Sequence, residues 1–361
     1  MRKFIPQHYN KTFNSYSNNR YFYIMATKNN YISYLRVIAT VFVILIHAST
    51  GFLNRFDADD FNWNYANWIN SATRCAVPIF VMLSGALLLL KDEDTWSFYK
   101  KRITKLLYPF LFWTIIYLIY YFYRYTNFNA LSTERIMSIA QDKILHGANA
   151  HLWYLYMIIG LYLAIPYLRK IITQVSIREI EIFLVLWFSS MILMNKFYYP
   201  NVPKFDLTFF SGYMGYLVLG YYLSIKTFNW SKWIPLIGYI VISVFTAYMT
   251  YTWSLSANKY NPHWYYYVFP NIGLAAGFLF ILFQKIVNKE SELPTWIKII
   301  DEYSFGIYLV HILPLNYIHP FLSKHMSTLW VIPLATFLTL ITSIGIIYVL
   351  RKIPYGKYVS G

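Results

Sequence analysis

Two side chains on one apolar stretch open the chemistry of this chain. Arg36 and His47 both lie inside YISYLRVIATVFVILIHASTGF, residues 31–52. Eleven residues of α-helix turn through about 1100°, within ~20° of three whole turns, and rise ~16 Å. Both side chains therefore fall on one stripe, half a bilayer apart. An arginine at bilayer depth costs at least ~3 kcal/mol on insertion scales, so neither group is expected to face hydrocarbon. An imidazole with the ordinary pKa of ~6.5 accepts a proton from an attacking hydroxyl at neutral pH, and a guanidinium offers phosphate or carboxylate a planar fork. The plainer alternatives are a packed histidine bonded to a carbonyl and an arginine snorkelling to headgroups.

Further polar groups interrupt the apolar runs. Arg74 stands just before Cys75 and Pro78, where it would hold an anionic acceptor, a sugar hydroxyl or an acyl oxyanion, or else pair with Asp57, Asp59 or Asp60. His151 and Trp153 open a later run; tryptophan there belongs to any interfacial belt, but its face also stacks on sugars. Ser304, Tyr308 and His311 share a helical face that ends near the depth of His47. Ser84-Gly85 permits close helix approach, and Gly273-Leu-Ala-Ala-Gly277 reads as a small-residue packing seam. His146, His263, His319 and His325 fall in loops and are expected to be solvated. No metal site is expected from His47, His151 and His311, because no acidic or thiol ligand accompanies them at a recognisable spacing.

Composition dictates what must position these groups. Of 361 residues, 58% are hydrophobic, 21% aromatic and only 13% charged, which is outside the range of soluble proteins and predicts an all-α, polytopic membrane bundle. The runs are continuous instead of alternating, which excludes a transmembrane barrel. A net charge of +16 raises the question of nucleic acid, but the basic residues gather at the ends of apolar runs, where they set topology and meet anionic headgroups. Cys75 is the single cysteine, so an internal disulfide is impossible.

Ten spans are expected, at about 32–52, 72–90, 106–123, 151–168, 178–195, 207–225, 233–252, 264–284, 303–318 and 328–350. With both termini cytoplasmic, 22 Lys and Arg fall inside and 8 outside, a strong positive-inside bias. Residues 1–30, polar and without the apolar core of a cleavable signal, read as a flexible cytoplasmic tail, and 353–361 as a second one. The bundle occupies 31–352, with the largest external loops at 53–71 and 125–150. Arg36 then lies toward the cytoplasm and His47 in the outer half of the membrane.

The Arg, ten residues, His pattern in LRVIATVFVILIHA resembles the signature of the acyltransferase-3 family of integral-membrane acyltransferases. VPIFVMLSGALLL from Val77, KKRITKLLYP from Lys100, HLWYLYMIIGLYLAIP from His151 and SFGIYLVH from Ser304 are similar to further family segments. The layout is nearest to the enterobacterial common antigen O-acetyltransferase type. This resemblance implies a transferase of a bacterial plasma membrane that moves an acyl group, acetyl above all, from cytoplasmic acyl-CoA to a hydroxyl of a cell-surface glycan or lipid-linked saccharide. It implies His47 as base or acyl relay, Arg36 on the donor side, and acyl-CoA as co-substrate with no bound cofactor. The family's Arg-x-x-Arg pair, taken to contact acyl-CoA, corresponds here to Arg102 and Lys105 beside Lys101; lysine keeps the charge and loses the fork. Arg74, His151, Trp153, Ser304, Tyr308 and His311 fall to the acceptor or oxyanion side. A glycan exporter of the same layout is the competing reading, although an exporter has no need of the basic cluster.

Overall fold

Apolar sequence with the hydrogen-bonding demand of a backbone in hydrocarbon leaves helices as the economical solution. The computed structural model, which describes residues 29–126, 131–193, 212–288 and 291–361, is helical throughout, with no strand among those residues. The expected tail up to residue 28 and the stretch 194–211, where the fifth and sixth expected spans meet, lie outside the described residues.

The helices are α1 (Asn30–Leu53), α2 (Phe61–Thr73), α3 (Ala76–Leu88), α4 (Thr95–Tyr125), α5 (Thr133–His146), α6 (Trp153–Ile172) and α7 (Ile177–Leu193), then α8 (Met214–Ile225), α9 (Trp233–Ala257), α10 (Pro270–Ile286), α11 (Thr295–Val310), α12 (Ile312–Ser323), α13 (Thr328–Lys352) and the short α14 (Gly356–Val359). Seven segments are long and apolar enough to cross a membrane, and the pair α11 and α12, bent by 76°, makes an eighth if taken as one span. At the two other expected spans, α7 and α8 run for 17 and 12 residues. Ile237, Ile240, Val241 and Val244 of α9 are exposed, as are Leu111, Ile115 and Ile119 of α4, the outward faces a bilayer requires.

The expected external loop 53–71 is instead largely helix. Asp60 caps α2, accepting from the Asn62 amide at 2.9 Å, and the helix continues through the break at Arg74 and Cys75 into α3 as one 28-residue apolar run. Its four asparagines lower its hydropathy, yet two of them point inward: Asn67 donates to the Ala247 carbonyl (2.9 Å), and Asn70 to Ser49 Oγ (2.8 Å) and the Ile46 carbonyl (3.2 Å). In the other expected loop, α5 lies with no buried residue.

The tightest crossing is between α3 and α8. A Cβ added to Gly220 would sit 1.9 Å from the Met82 carbonyl oxygen, and one added to Gly85 would sit 1.9 Å from that of Leu217. Close approach at Gly85 is therefore as expected. In the other predicted seam, Gly273 contacts Phe188 but Gly277 faces open space. At the same end as the basic cluster, buried Arg169 donates from Nε and Nη2 to the Leu88 carbonyl (3.2 and 3.0 Å) and from Nη1 to that of Glu93 (2.8 Å), closing the C-terminus of α3. The C-terminal residues, expected as a tail, pack back on the bundle: Trp113 Nε1 donates to the Val359 carbonyl at 3.0 Å, and Ser360 is fully buried.

The crossing yields a test. Gly220→Ala must push two backbones apart, costing about 3 kcal/mol, the upper end for overpacking. The fraction of monodisperse protein surviving a heating series in detergent should fall sharply, whereas Gly277→Ala should leave it unchanged.

Candidate active site

Helices α1 and α11 run side by side in the same direction, and this pairing builds the centre of the molecule. Near their N-terminal ends, Arg36 Nη1 donates to Asp301 Oδ1 in an ion pair, while Ser33 Oγ donates to Asp301 Oδ2 at 2.7 Å. Near their C-terminal ends, the His47 and His311 ring centroids are 5.1 Å apart. Eleven residues on α1 are thus matched by ten on α11, and the predicted stripe of Arg36 and His47 is the face turned to α11.

His151 completes a cluster of three imidazoles. It sits in the 3₁₀ turn Ala150–Leu152 ahead of α6, with its ring 5.1 Å from that of His311 and 6.4 Å from that of His47. Carbonyls only accept, so their positions assign the protons. His311 Nδ1 donates to the Tyr308 carbonyl at 2.6 Å, and His151 Nε2 to the Leu309 carbonyl at 3.3 Å. Tyr117 donates to that same Leu309 carbonyl at 2.8 Å and sets its ring edge-on to His151. Asn149 Oδ1, also an acceptor, lies 3.1 Å from His151 Nδ1 and competes with the Leu309 carbonyl for the single proton of a neutral ring, and the Tyr308 hydroxyl donates to the His151 carbonyl. His47 differs: it is partly exposed and makes no ring hydrogen bond among the described residues. Among those residues, no three His, Cys, Asp or Glu are placed to hold a metal ion.

A cavity of about 490 Å³ approaches the cluster from the Arg36 end. Its mouth carries Arg36, Arg102, Lys105 and Arg351 against Asp301 and Glu302. Leu83, Leu87 and Ile158 wall it, and Ser84, Ser304, Tyr154 and Tyr308 line it further. The Tyr154 and Tyr308 rings pack at 5.1 Å, and Tyr308 in turn lies 5.6 Å from His151 and 5.9 Å from His311. Tyr308 thus belongs both to the cavity wall and to the surroundings of the imidazoles. Arg36 and Arg351 are already engaged, the latter with Glu302 at 2.5 Å. Arg102 and Lys105 have no carboxylate partner among the described residues, and Arg102 Nε is buried without a hydrogen bond. Lys101 lies elsewhere: it pairs with Glu93 at 2.8 Å, holding that carboxyl below the ordinary carboxylate range, and is absent from the cavity wall.

On the other side of the cluster, Arg74 occupies the break between α2 and α3. Its Nε donates to Asn70 Oδ1 (2.6 Å) and Nη1 to the Tyr267 hydroxyl (3.3 Å), and its guanidinium lies 4.6 Å from the Tyr265 ring centre. The alternative pairing with Asp57, Asp59 or Asp60 does not form; Asp57 and Asp60 accept amides in the turn and cap before α2. Trp153 stacks on Tyr267 at 5.5 Å and 25°, so Arg74 and Trp153 share one aromatic wall. Ser304 and Tyr308, expected beside them, line the cavity instead. Of the histidines assigned to loops, His263 stacks on Trp253 at 4.4 Å and His319 packs against Phe52, so both are packed on aromatic rings and only partly exposed.

Sequence reasoning passed over Asp301, Arg351, Tyr154 and Tyr117. Asp301 carried a usable signal, an acid ten positions before His311 that mirrors Arg36 before His47.

No curated protein and no solved structure matches the chain. A family model described as an acyltransferase domain matches residues 29–349, a range that includes α1, the basic cluster, all three clustered histidines and all but the last three residues of α13. With nearly its entire helical bundle inside that match, the chain belongs to the acyltransferase-3 family.

Proposed function

We propose that this membrane acyltransferase is an O-acyltransferase, in the first place an O-acetyltransferase, that takes its acyl group from acyl-CoA on the Arg36 side and delivers it to a hydroxyl on the His47 side. The acceptor is a cell-surface glycan or a lipid-linked saccharide, the donor side is cytoplasmic, and the membrane is a bacterial plasma membrane. One observation carries the reading: a cavity with two uncommitted cations at its mouth and a cluster of imidazoles at its far end meet across the Tyr154 and Tyr308 rings.

The chemistry follows from the groups present. Arg102 and Lys105 attract the phosphates of CoA, with Arg36 held behind them by Asp301. The apolar wall of Leu83, Leu87 and Ile158 takes the pantetheine arm, and the thioester reaches the level of Tyr308. His47, its ring free of hydrogen bonds among the described residues, accepts the proton of the acceptor hydroxyl as the hydroxyl oxygen bonds to the thioester carbonyl carbon. Collapse of the tetrahedral adduct breaks the carbon–sulfur bond, and the departing thiolate takes the proton back from His47. Arg74, on the same side as Trp153 and bearing no carboxylate partner among the described residues, stabilises the oxyanion or holds an anionic group of the acceptor. An exporter would have no use for uncommitted cations at the mouth of this cavity.

Two experiments test the assignment in purified, reconstituted full-length protein. His47→Ala should lower glycan acylation by at least ~10²-fold, the lower range for general-base assistance, while the protein still inserts and binds acetyl-CoA; near-normal acylation would refute the mechanism. On the donor side, Arg102→Ala combined with Lys105→Ala should raise KM for acetyl-CoA at least about tenfold, equivalent to ~1.4 kcal/mol, with kcat little changed. Lys101→Ala should shift it less than about twofold, because that ammonium belongs to Glu93.

A further inference from the structure

His311 occupies the point where α11 gives way to α12 at an angle of 76°, and it has no solvent exposure. Its Nδ1 proton is committed to the Tyr308 carbonyl at 2.6 Å. A neutral imidazole protonated on one nitrogen carries a lone pair on the other, so Nε2 is an acceptor. That Nε2 is buried and has no partner among the described residues. Leaving a buried acceptor unsatisfied costs about 1–3 kcal/mol, and such a group calls for an explanation.

The surroundings supply one. Of the two imidazoles 5.1 Å from His311, His151 has an acceptor oxygen within hydrogen-bond distance of each ring nitrogen, the Leu309 carbonyl and Asn149 Oδ1, so its single proton is directed to an oxygen and away from His311. His47, at the same 5.1 Å, has neither. An N–H···N bond of about 3 Å between two imidazoles, whose nitrogens each lie about 1 Å from the ring centre, gives a centroid separation of about 5 Å. The rings are therefore at bonding distance, inclined at 49°, and lack only the rotation that aims one nitrogen at the other.

We propose that His311 is a positioning residue for His47. Its Nε2 lone pair accepts the His47 N–H, which fixes the His47 tautomer and leaves the opposite His47 nitrogen unprotonated toward the acceptor hydroxyl. When His47 takes up the hydroxyl proton and becomes an imidazolium, the hydrogen bond to His311 strengthens, spreading the charge over two rings. The proton then leaves with the thiolate, and His311 finishes the cycle with the Nδ1 proton it had at the start. The bend between α11 and α12 is what makes this possible, because it turns the Tyr308 carbonyl over to the His311 ring and so sets the His311 tautomer. The proposal rests on the reading of His47 as the base.

The test uses purified full-length protein in lipid nanodiscs, with acetyl-CoA as donor and extracted cell-surface polysaccharide of the source cell as acceptor, followed by CoA thiol release. His311→Leu, which keeps volume and removes both nitrogens, should lower kcat by ~10²- to 10⁴-fold, the span seen for orienting partners of a base, with KM for acetyl-CoA within about twofold. His311→Gln, which returns an acceptor oxygen near the Nε2 position, should recover at least about tenfold of that loss. Nitrogen-15 solid-state spectra of histidine-labelled protein, with His47 assigned through His47→Gln, should show a hydrogen-bonded N–H in the parent that His311→Leu abolishes. A kcat for His311→Leu within about threefold of the parent, or a His311→Gln variant that binds acetyl-CoA yet is as inactive as His47→Ala, overturns the proposal. Should His311→Leu fail to fold, the folded His311→Gln variant decides alone: activity within about tenfold of the parent supports the role. An active His47→Ala variant would instead sink the underlying reading, which keeps the two failures distinct.

Discussion

A polar group in hydrocarbon has no water to fall back on, and this constraint governs the whole molecule. Many of the intramembrane polar side chains are turned inward and bonded. Asn67 and Asn70 tie α2 to its neighbours. Arg169 satisfies two carbonyls at the end of α3. Arg74 is enclosed by Asn70 and tyrosine rings. Among the described residues, several buried polar atoms have no partner; of these, Arg102 Nε belongs to a residue of the cavity wall and His311 Nε2 to the imidazole cluster, where the His47 ring is also without a hydrogen bond.

The parallel pairing of α1 and α11 joins these two places. An ion pair near one end and two facing imidazoles near the other fix the register of the two helices, so neither slides without breaking both. Arg36 and His47 are thus held on one face of α1 by the same neighbouring helix.

Much of this was legible in the sequence. Apolar runs marked the helices, the eleven-residue interval put Arg36 and His47 on one face, and SFGIYLVH placed His311 near the depth of His47. The rest was hidden for physical reasons. Helix α2 read as loop because hydropathy assumes that polar residues face water, whereas Asn67 and Asn70 face the core. The bend at His311 depends on tertiary packing, and so does the swing of Ser304 and Tyr308 to the cavity side. Asp301 was overlooked because an acid at the entry of a helix reads as solvated until a partner from a distant part of the chain is known. Lys101 and Lys105, four residues apart in one basic run, have different fates only because Glu93 reaches the first.

The glycine crossing of α3 and α8 bears on how the enzyme breathes. Where two backbones touch with no side chain between them, there is nothing to re-pack, so that flank of the cavity, with Leu83, Ser84 and Leu87, behaves as a fixed anvil. Tyr154 and Tyr308, which also line the cavity, are buried and packed on each other, and the Tyr308 hydroxyl is tied to the His151 carbonyl. Under the proposed reaction, passage of a thioester to the imidazoles therefore has to break that bond and displace two buried rings, while the glycine crossing stays as it is.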